Sequence, residues 1–165
     1  MSCEIKEVKT EAEIQRLADM AGKIWHEFFP GIISEEQIDY MVDKFQSFRA
    51  MTDQMQNQGY RYHVLEADGE PMGYTGWKLE DGKLFLSKIY LKKEARGKGY
   101  SSILFRFLEQ QARENNASAI WLTVNKYNAH SIAVYEHKGF KTVRTQEADI
   151  GNGFIMDDYI MEKAM

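Results

Sequence analysis

The sequence predicts a mixed α/β (α+β) fold: a largely antiparallel central sheet, split by one parallel strand pair, in a single domain spanning residues 1–165. Three observations carry this expectation. Strand-like segments at 60–66, 71–79 and 84–91 are rich in Tyr, Val, Leu, Ile and Phe, and Asp68-Gly69 and Asp81-Gly82 between them suit tight hairpins. Apolar residues at spacings of three and four mark helices before and after that block. A helix of about seventeen residues separates 84–91 from the next apolar strand, and a crossover of that length joins parallel neighbours.

The elements follow in order. Residues 4–9 alternate as a half-buried strand, and Thr10 with Glu13 forms a capping-box pattern. The helix after it presents Ile14, Leu17, Ala18, Ala21, Ile24, Trp25 and Phe28 on one face and stops at Pro30-Gly31. Ser34 and Gln37 supply a second capping box before a second helix with Ile38, Met41, Val42, Phe45 and Phe48 at the same spacing, which can continue as another helix through Asn57. After the three antiparallel strands a long helix opens near Lys98, carries Tyr100, Ile103, Leu104, Phe107 and Leu108 on one face, and frays at Asn115-Asn116. A buried strand from Ala119 to Val124, a short helix from about Asn128 to His137, and strands near 140–146 and 154–163 close the chain.

Composition narrows the function. The length supports one sizeable core, without a repeat or a linker. No run approaches the ~18 apolar residues of a membrane span, and no basic-then-apolar leader opens the chain, so a cytoplasmic protein is expected. The one cysteine, Cys3, has no partner for an internal disulfide, which suits a reducing compartment. A formal charge of −4 argues against a surface devoted to nucleic acid. The four histidines lack paired ligand spacing, and no metal is expected.

One segment departs from the acidic balance. Lys88, Lys92, Lys93, Arg96 and Lys98 face a single acid, Glu94, a local excess of +4. A solvated loop explains such a run equally well. Here, however, the strand Ile89-Tyr90-Leu91 feeds the turn Arg96-Gly97-Lys98-Gly99, which opens a helix at Tyr100-Ser101. The first N–H groups of a helix have no intrahelical partner, and together with the helix dipole and basic side chains they suit a pyrophosphate. Glycines let phosphates approach the main chain. The spacing is neither that of a Walker loop nor, with Ser102 in place of a third glycine, that of a dinucleotide fingerprint. A second constellation, Asn128…Ser131-Ile132…Tyr135 followed by Gly139-Phe140, places an amide and a phenol along one side of a short helix. Tyr135 is also readable as a core aromatic with its hydroxyl at the surface. Two parallel strands, each leading to a helix with polar groups, define a crevice at their carboxyl ends where ligands of α/β sheets bind.

These residues resemble the GNAT acetyltransferases over nearly the whole chain. That family's turn reads Gln/Arg-x-x-Gly-x-Gly/Ala; here it reads Glu94-Ala95-Arg96-Gly97-Lys98-Gly99, with Glu94 departing from the pattern. The resemblance is nearest to bacterial polyamine acetyltransferases of the spermidine/spermine type, at Asn128, Ile132-Ala133, Tyr135 and the region from Met156 to Met165. It implies helices on both faces of the sheet, a splayed parallel pair and acetyl-CoA as acetyl donor. The backbone of Ile89, Tyr90 and Leu91 would pair with the pantetheine arm; Arg96, Gly97, Lys98, Gly99, Tyr100 and Ser101 would hold the pyrophosphate; Asn128 would bond the cofactor arm. A neutral amine would attack the thioester, a strand amide near Ile89 or Tyr90 would stabilise the oxyanion, and Tyr135 would protonate the thiolate.

His26, Glu27, Asp157 and Asp158 are the candidates for taking the amine proton, and each is also readable as a plain surface charge. Glu27, Glu35, Glu36, Asp39, Asp43, Asp157 and Asp158 would steer a cationic amine, as solvated helix faces also do. A small-molecule amine such as a polyamine is the expected acceptor. A protein or peptide amine is the alternative, and a silent acyl-CoA sensor on the same fold is the alternative of a different class. The closing strands leave room for a homodimer by strand pairing.

Overall fold

The computed structural model describes residues 2–165. Two compact units share the described residues, 2–78 with Ser87–Leu108 and Leu79–Leu86 with Glu109–Met165. Strands β3 (Glu70–Glu80) and β4 (Lys83–Leu91) and helix α4 (Tyr100–Glu114) each run through both units.

The first unit also holds β1 (Cys3–Glu7), α1 (Glu11–Phe28), α2 (Glu35–Phe45), α3 (Phe48–Asn57) and β2 (Arg61–Ala67). The capping box forms as the sequence predicts: Thr10 Oγ1 accepts from Glu13 N and Glu13 Oε1 accepts from Thr10 N. The second one is only half made. Ser34 Oγ accepts from Gln37 N, but the Gln37 amide turns to Met41 Sδ instead of back to the cap. The apolar spacing that runs through Phe45 and Phe48 is shared by two helices, because Ser47 caps a new one through Ala50 N. β1, β2 and β3 pair antiparallel. Asp68 and Gly69 both take positive φ (52° and 82°), as a two-residue hairpin of this twist requires.

Helices cover both faces of these strands. Ile14, Leu17, Ala18, Ala21 and Ile24 of α1 pack with Met51 of α3 against Tyr62 and Tyr74. On the opposite face Tyr100 and Leu104 of α4 pack against Leu65 and Ala67, with Ile89 and Leu91 alongside. At roughly 25 cal/mol per Å² of apolar surface, two such layers dominate the stability of this unit.

In the second unit β5 (Ala119–Asn125) lies between the start of β4 and β7 (Phe154–Ala164), and β6 (Lys141–Gly151) is the outer strand beyond β7. The full sheet order is β1-β2-β3-β4-β5-β7-β6. Its one parallel ladder joins β4 to β5 at Leu84↔Ile120 and Phe85↔Trp121. Helix α5 (Ala129–His137) follows β5. The closing strands run longer than expected because Asn152-Gly153, both at positive φ, tie them as one hairpin. No helix among the described residues is long and apolar enough to cross a membrane.

Candidate active site

The turn after β4 is built by backbone conformation. Lys93–Ala95 form a short 3-10 turn absent from the sequence reading, and Ala95 anchors it in the core at 0% exposure. Gly97 (φ 77°) and Gly99 (φ 84°) occupy the left-handed region, so the helix begins at Tyr100 instead of near Lys98. Its first backbone hydrogen bond runs from Ile103 N to Gly99 O, which leaves the N–H groups of the preceding turn outside the helix ladder. A Cβ at either glycine would find no heavy atom within 4 Å. The main chain therefore borders open space, and an anion has room to meet it.

The basic side chains differ in their surroundings. Lys88 is 6% exposed, and its ammonium donates to Phe45 O (2.9 Å), Gln54 Oε1 (3.0 Å) and the Tyr62 hydroxyl. Burial pushes its pKa down to about 7. It is a strut joining β4 to α2, α3 and β2, so the apparent charge excess of the segment is smaller at the surface. Arg96 donates to Leu91 O (3.3 Å) and lies 5.1 Å from the centre of the Phe28 ring, folded back along the strand. Lys93 and Lys98 are exposed. Tyr100 is 4% exposed within the apolar layer, so only its main chain is available to a ligand.

β4 itself is fixed by close contact with β3. A Cβ on Gly73 would fall 2.4 Å from Tyr90 O, so only glycine permits this approach. Tyr90 projects into an aromatic cluster with Trp25, Phe28, Phe29 and Tyr74. Thr75 Oγ1 donates to Lys88 O at 2.7 Å. The register along the two strands also shifts. The Asp81-Gly82 turn sets Glu80 opposite Lys83, whereas Lys92 N donates to Met72 O, one residue out of step. The offset of one residue arises between the hairpin turn and the end of β4.

In the second unit Asn128 is the N-cap of α5, with its Oδ1 accepting from Ser131 N at 3.3 Å. It lies before the helix, not on its face. Tyr135 is half-buried, its ring edge-to-face with Phe140 at 6.0 Å. Burial pushes its phenol up to about 12, which keeps the proton on at neutral pH.

Of the four candidate proton acceptors, His26 is committed: Nδ1 bonds Gly22 O (2.8 Å) and Nε2 bonds Asp39 Oδ1 (2.5 Å). These bonds raise its pKa and clamp α1 to α2. Glu27 is exposed. Asp157 pairs with Lys126 (2.7 Å). Asp158 is 5% exposed, and its Oδ1 has no hydrogen-bond partner among the described residues.

Comparison with known proteins decides the family. The profile of the acetyltransferase (GNAT) family matches residues 19–140. This chain belongs to that family. An N-acetyltransferase of Lactobacillus delbrueckii subsp. lactis is 27% identical over 115 residues, 65% of this chain and 66% of its own. The spermidine N(1)-acetyltransferase of Thermoplasma acidophilum is 26% identical over 161 residues, 95% of this chain and 97% of its own. The crystal structure of the PaiA N-acetyltransferase from Thermoplasma acidophilum, in complex with coenzyme A, superposes over 100% of both chains with a TM-score of 0.82 at 24% identity. The expected mixed, mostly antiparallel sheet with one parallel pair is the GNAT fold, and the chain is an N-acetyltransferase of that family.

Proposed function

We propose that the chain is one N-acetyltransferase domain, residues 1–165, that moves the acetyl group of acetyl-CoA to a primary amine, with a small polyamine-like cation as acceptor. The observation that carries the donor is the turn Arg96–Ser101, where two left-handed glycines leave main-chain N–H groups beside open space at a helix start. Gly97, Lys98, Gly99, Tyr100 and Ser101 would bind the pyrophosphate through their N–H groups, with Arg96 and Lys98 adding charge. Ile89, Tyr90 and Leu91 would line the pantetheine arm. Asn128, whose Oδ1 is spent on its cap, would offer Nδ2.

The amine nitrogen attacks the thioester carbon, the carbon–sulfur bond breaks, and Tyr135 gives its proton to the departing thiolate. Burial that holds the phenol near 12 keeps its proton on in the resting enzyme. No covalent enzyme intermediate is needed. The acceptor class is supported by the exposed acids of α2, Glu35, Glu36, Asp39 and Asp43, which would attract a cation, and by the likeness to the Thermoplasma spermidine acetyltransferase.

Thiol release from acetyl-CoA, measured against a panel of spermidine, uncharged-tail amines and peptides with a free N-terminus, tests this. Fastest release with spermidine, and an apparent KM that rises with salt, are the expected results. Faster turnover of a peptide would move the acceptor class to protein amines. CoA binding without turnover of any amine would make the chain a sensor.

A further inference from the structure

Asp158 is an unusual carboxylate for its position. On β7 it stands between Asn125 of β5 and Gln146 of β6 in the ladder. Asn125 is the last residue of β5, and Asn128, three positions on, caps the helix that carries Tyr135. The site is thus at the carboxyl end of a central strand, where α/β sheets place their ligands.

The face is fixed by alternation along a regular ladder. Lys163 pairs with Glu109 of α4 (2.5 Å), and a Cβ on Gly139 would lie 3.3 Å from Lys163 Cε. Asp157, Tyr159 and Met161 share that helix-covered face, with Lys126 closing on Asp157 and on the Tyr159 ring. Asp158 points the other way. A carboxylate only 5% exposed with one oxygen unbonded is costly in an unliganded fold, and an Asn of the same shape would carry no buried charge. Burial, helped by Asp157 and opposed by Lys126, lifts it to about 6. Such a group, still ionised at neutral pH, is suited to accepting a proton.

We propose that Asp158 receives the acceptor amine: its Oδ1 takes a hydrogen bond from the attacking nitrogen and then, as the carbon–nitrogen bond forms, that nitrogen's proton. This rests on the transferase reading above. The nitrogen becomes strongly acidic once bonded to carbon, so a weak base is sufficient. Tyr135 supplies the thiolate's proton and Asp158 returns its own to solvent, leaving an acetamide and free CoA thiol.

Asp158→Asn keeps the shape and removes the base. Expected are a 10²- to 10⁴-fold fall in kcat/KM for the amine, CoA affinity within twofold of wild type by calorimetry, and an equal or higher Tm at pH 7. Formate added to Asp158→Ala should restore part of the turnover. Wild-type log kcat/KM against pH should also steepen below about pH 6. The charged groups near Asp158 are Asp157, Lys126, and Arg144 and Glu147 of β6, while its ladder partners Asn125 and Gln146 are neutral. No turnover in wild type removes the transferase reading itself. Wild-type turnover with Asp158→Asn above half of wild-type kcat/KM removes only the role of Asp158. If the variants fail to fold, the wild-type profile decides, and a constant slope through pH 6 overturns the proposal.

Discussion

The hydroxyl of Thr75, fully buried, donates a 2.7 Å hydrogen bond to the main-chain carbonyl of Lys88. Because a trans peptide is planar, fixing that oxygen fixes the N–H of Ile89 in the opposite direction, away from β3. In a transferase that amide is the candidate oxyanion donor. Thr75→Val keeps the volume but leaves a buried carbonyl short of one partner, at a cost of about 1–3 kcal/mol. Loss of an oxyanion donor costs 10²–10³ in kcat, so a loosened one should cost about tenfold or more, with CoA affinity nearly unchanged. Thr75→Ser should recover most of the rate. A folded Thr75→Val enzyme with wild-type kcat would show that the ladder alone holds the Ile89 amide.

Gly97 offers a test with a built-in control. Gly97 and Gly69 share a left-handed φ (77° and 82°), and neither has an atom within 4 Å of a would-be Cβ. Alanine at each should therefore cost a similar ~1 kcal/mol of backbone strain. Only Gly97→Ala also puts a methyl group where the pyrophosphate would lie. Its CoA dissociation constant should rise tenfold or more while that of Gly69→Ala stays put. Parallel thermal melts and calorimetric titrations read both quantities, and equal affinities would take the turn out of the site.

The features legible in the sequence were those with short-range causes. Thr10/Glu13 and the Asp-Gly turns announce themselves because cap and turn chemistry is contained within four residues. A further helix through Asn57 is legible, but the position of the break between α2 and α3 is hidden because Phe45 and Phe48 keep helical spacing across it, and the Ser47 cap is the signal that marks it. Asn152-Gly153 is an equally plain turn signal. It was missed because β6 is exposed for most of its length and shows no apolar alternation. Lys88 looked like one more surface charge, since only tertiary packing supplies its three acceptors. The contrast between Asp157 and Asp158 was likewise invisible, because it depends on which face of β7 carries Lys126.

His63 gives a stability prediction with a definite sign. It is 5% exposed, accepts from Trp77 Nε1 at 3.3 Å, and meets the Phe107 ring at 4.6 Å; burial lowers its pKa to about 4. The unfolded chain takes up this proton near the reference value of 6.5, the folded one only near 4. Stability from the neutral ring is thus complete above pH 6.5 and is lost as pH falls toward 4, by up to ~1.4 kcal/mol per pH unit in that window. His63→Gln keeps an acceptor for Trp77 and should flatten this part of the curve. Denaturant midpoints of both proteins from pH 4 to pH 7 measure it, and parallel curves would assign the acid sensitivity to other groups.

In the proposed reaction Tyr135 protonates the leaving thiolate, and its surroundings set how that role should be tested. The ring packs edge-to-face on Phe140, whose N–H also donates to Tyr135 O at 3.0 Å, so the local fold depends on the ring and the main chain. Tyr135→Phe keeps both and removes only the hydroxyl. Loss of a general acid typically costs 10²- to 10⁴-fold in rate, and kcat should fall by roughly that range while CoA affinity holds. A merely structural phenol predicts the reverse, ordinary turnover with a small change in Tm. The leaving group separates the two further. A donor more acidic than CoA, such as an aryl thioester, leaves without needing a proton, so the loss in Tyr135→Phe should shrink as thiol pKa falls. If the variant keeps more than half of kcat with acetyl-CoA while chemistry limits the rate, solvent protonates the thiolate and Tyr135 is only packing.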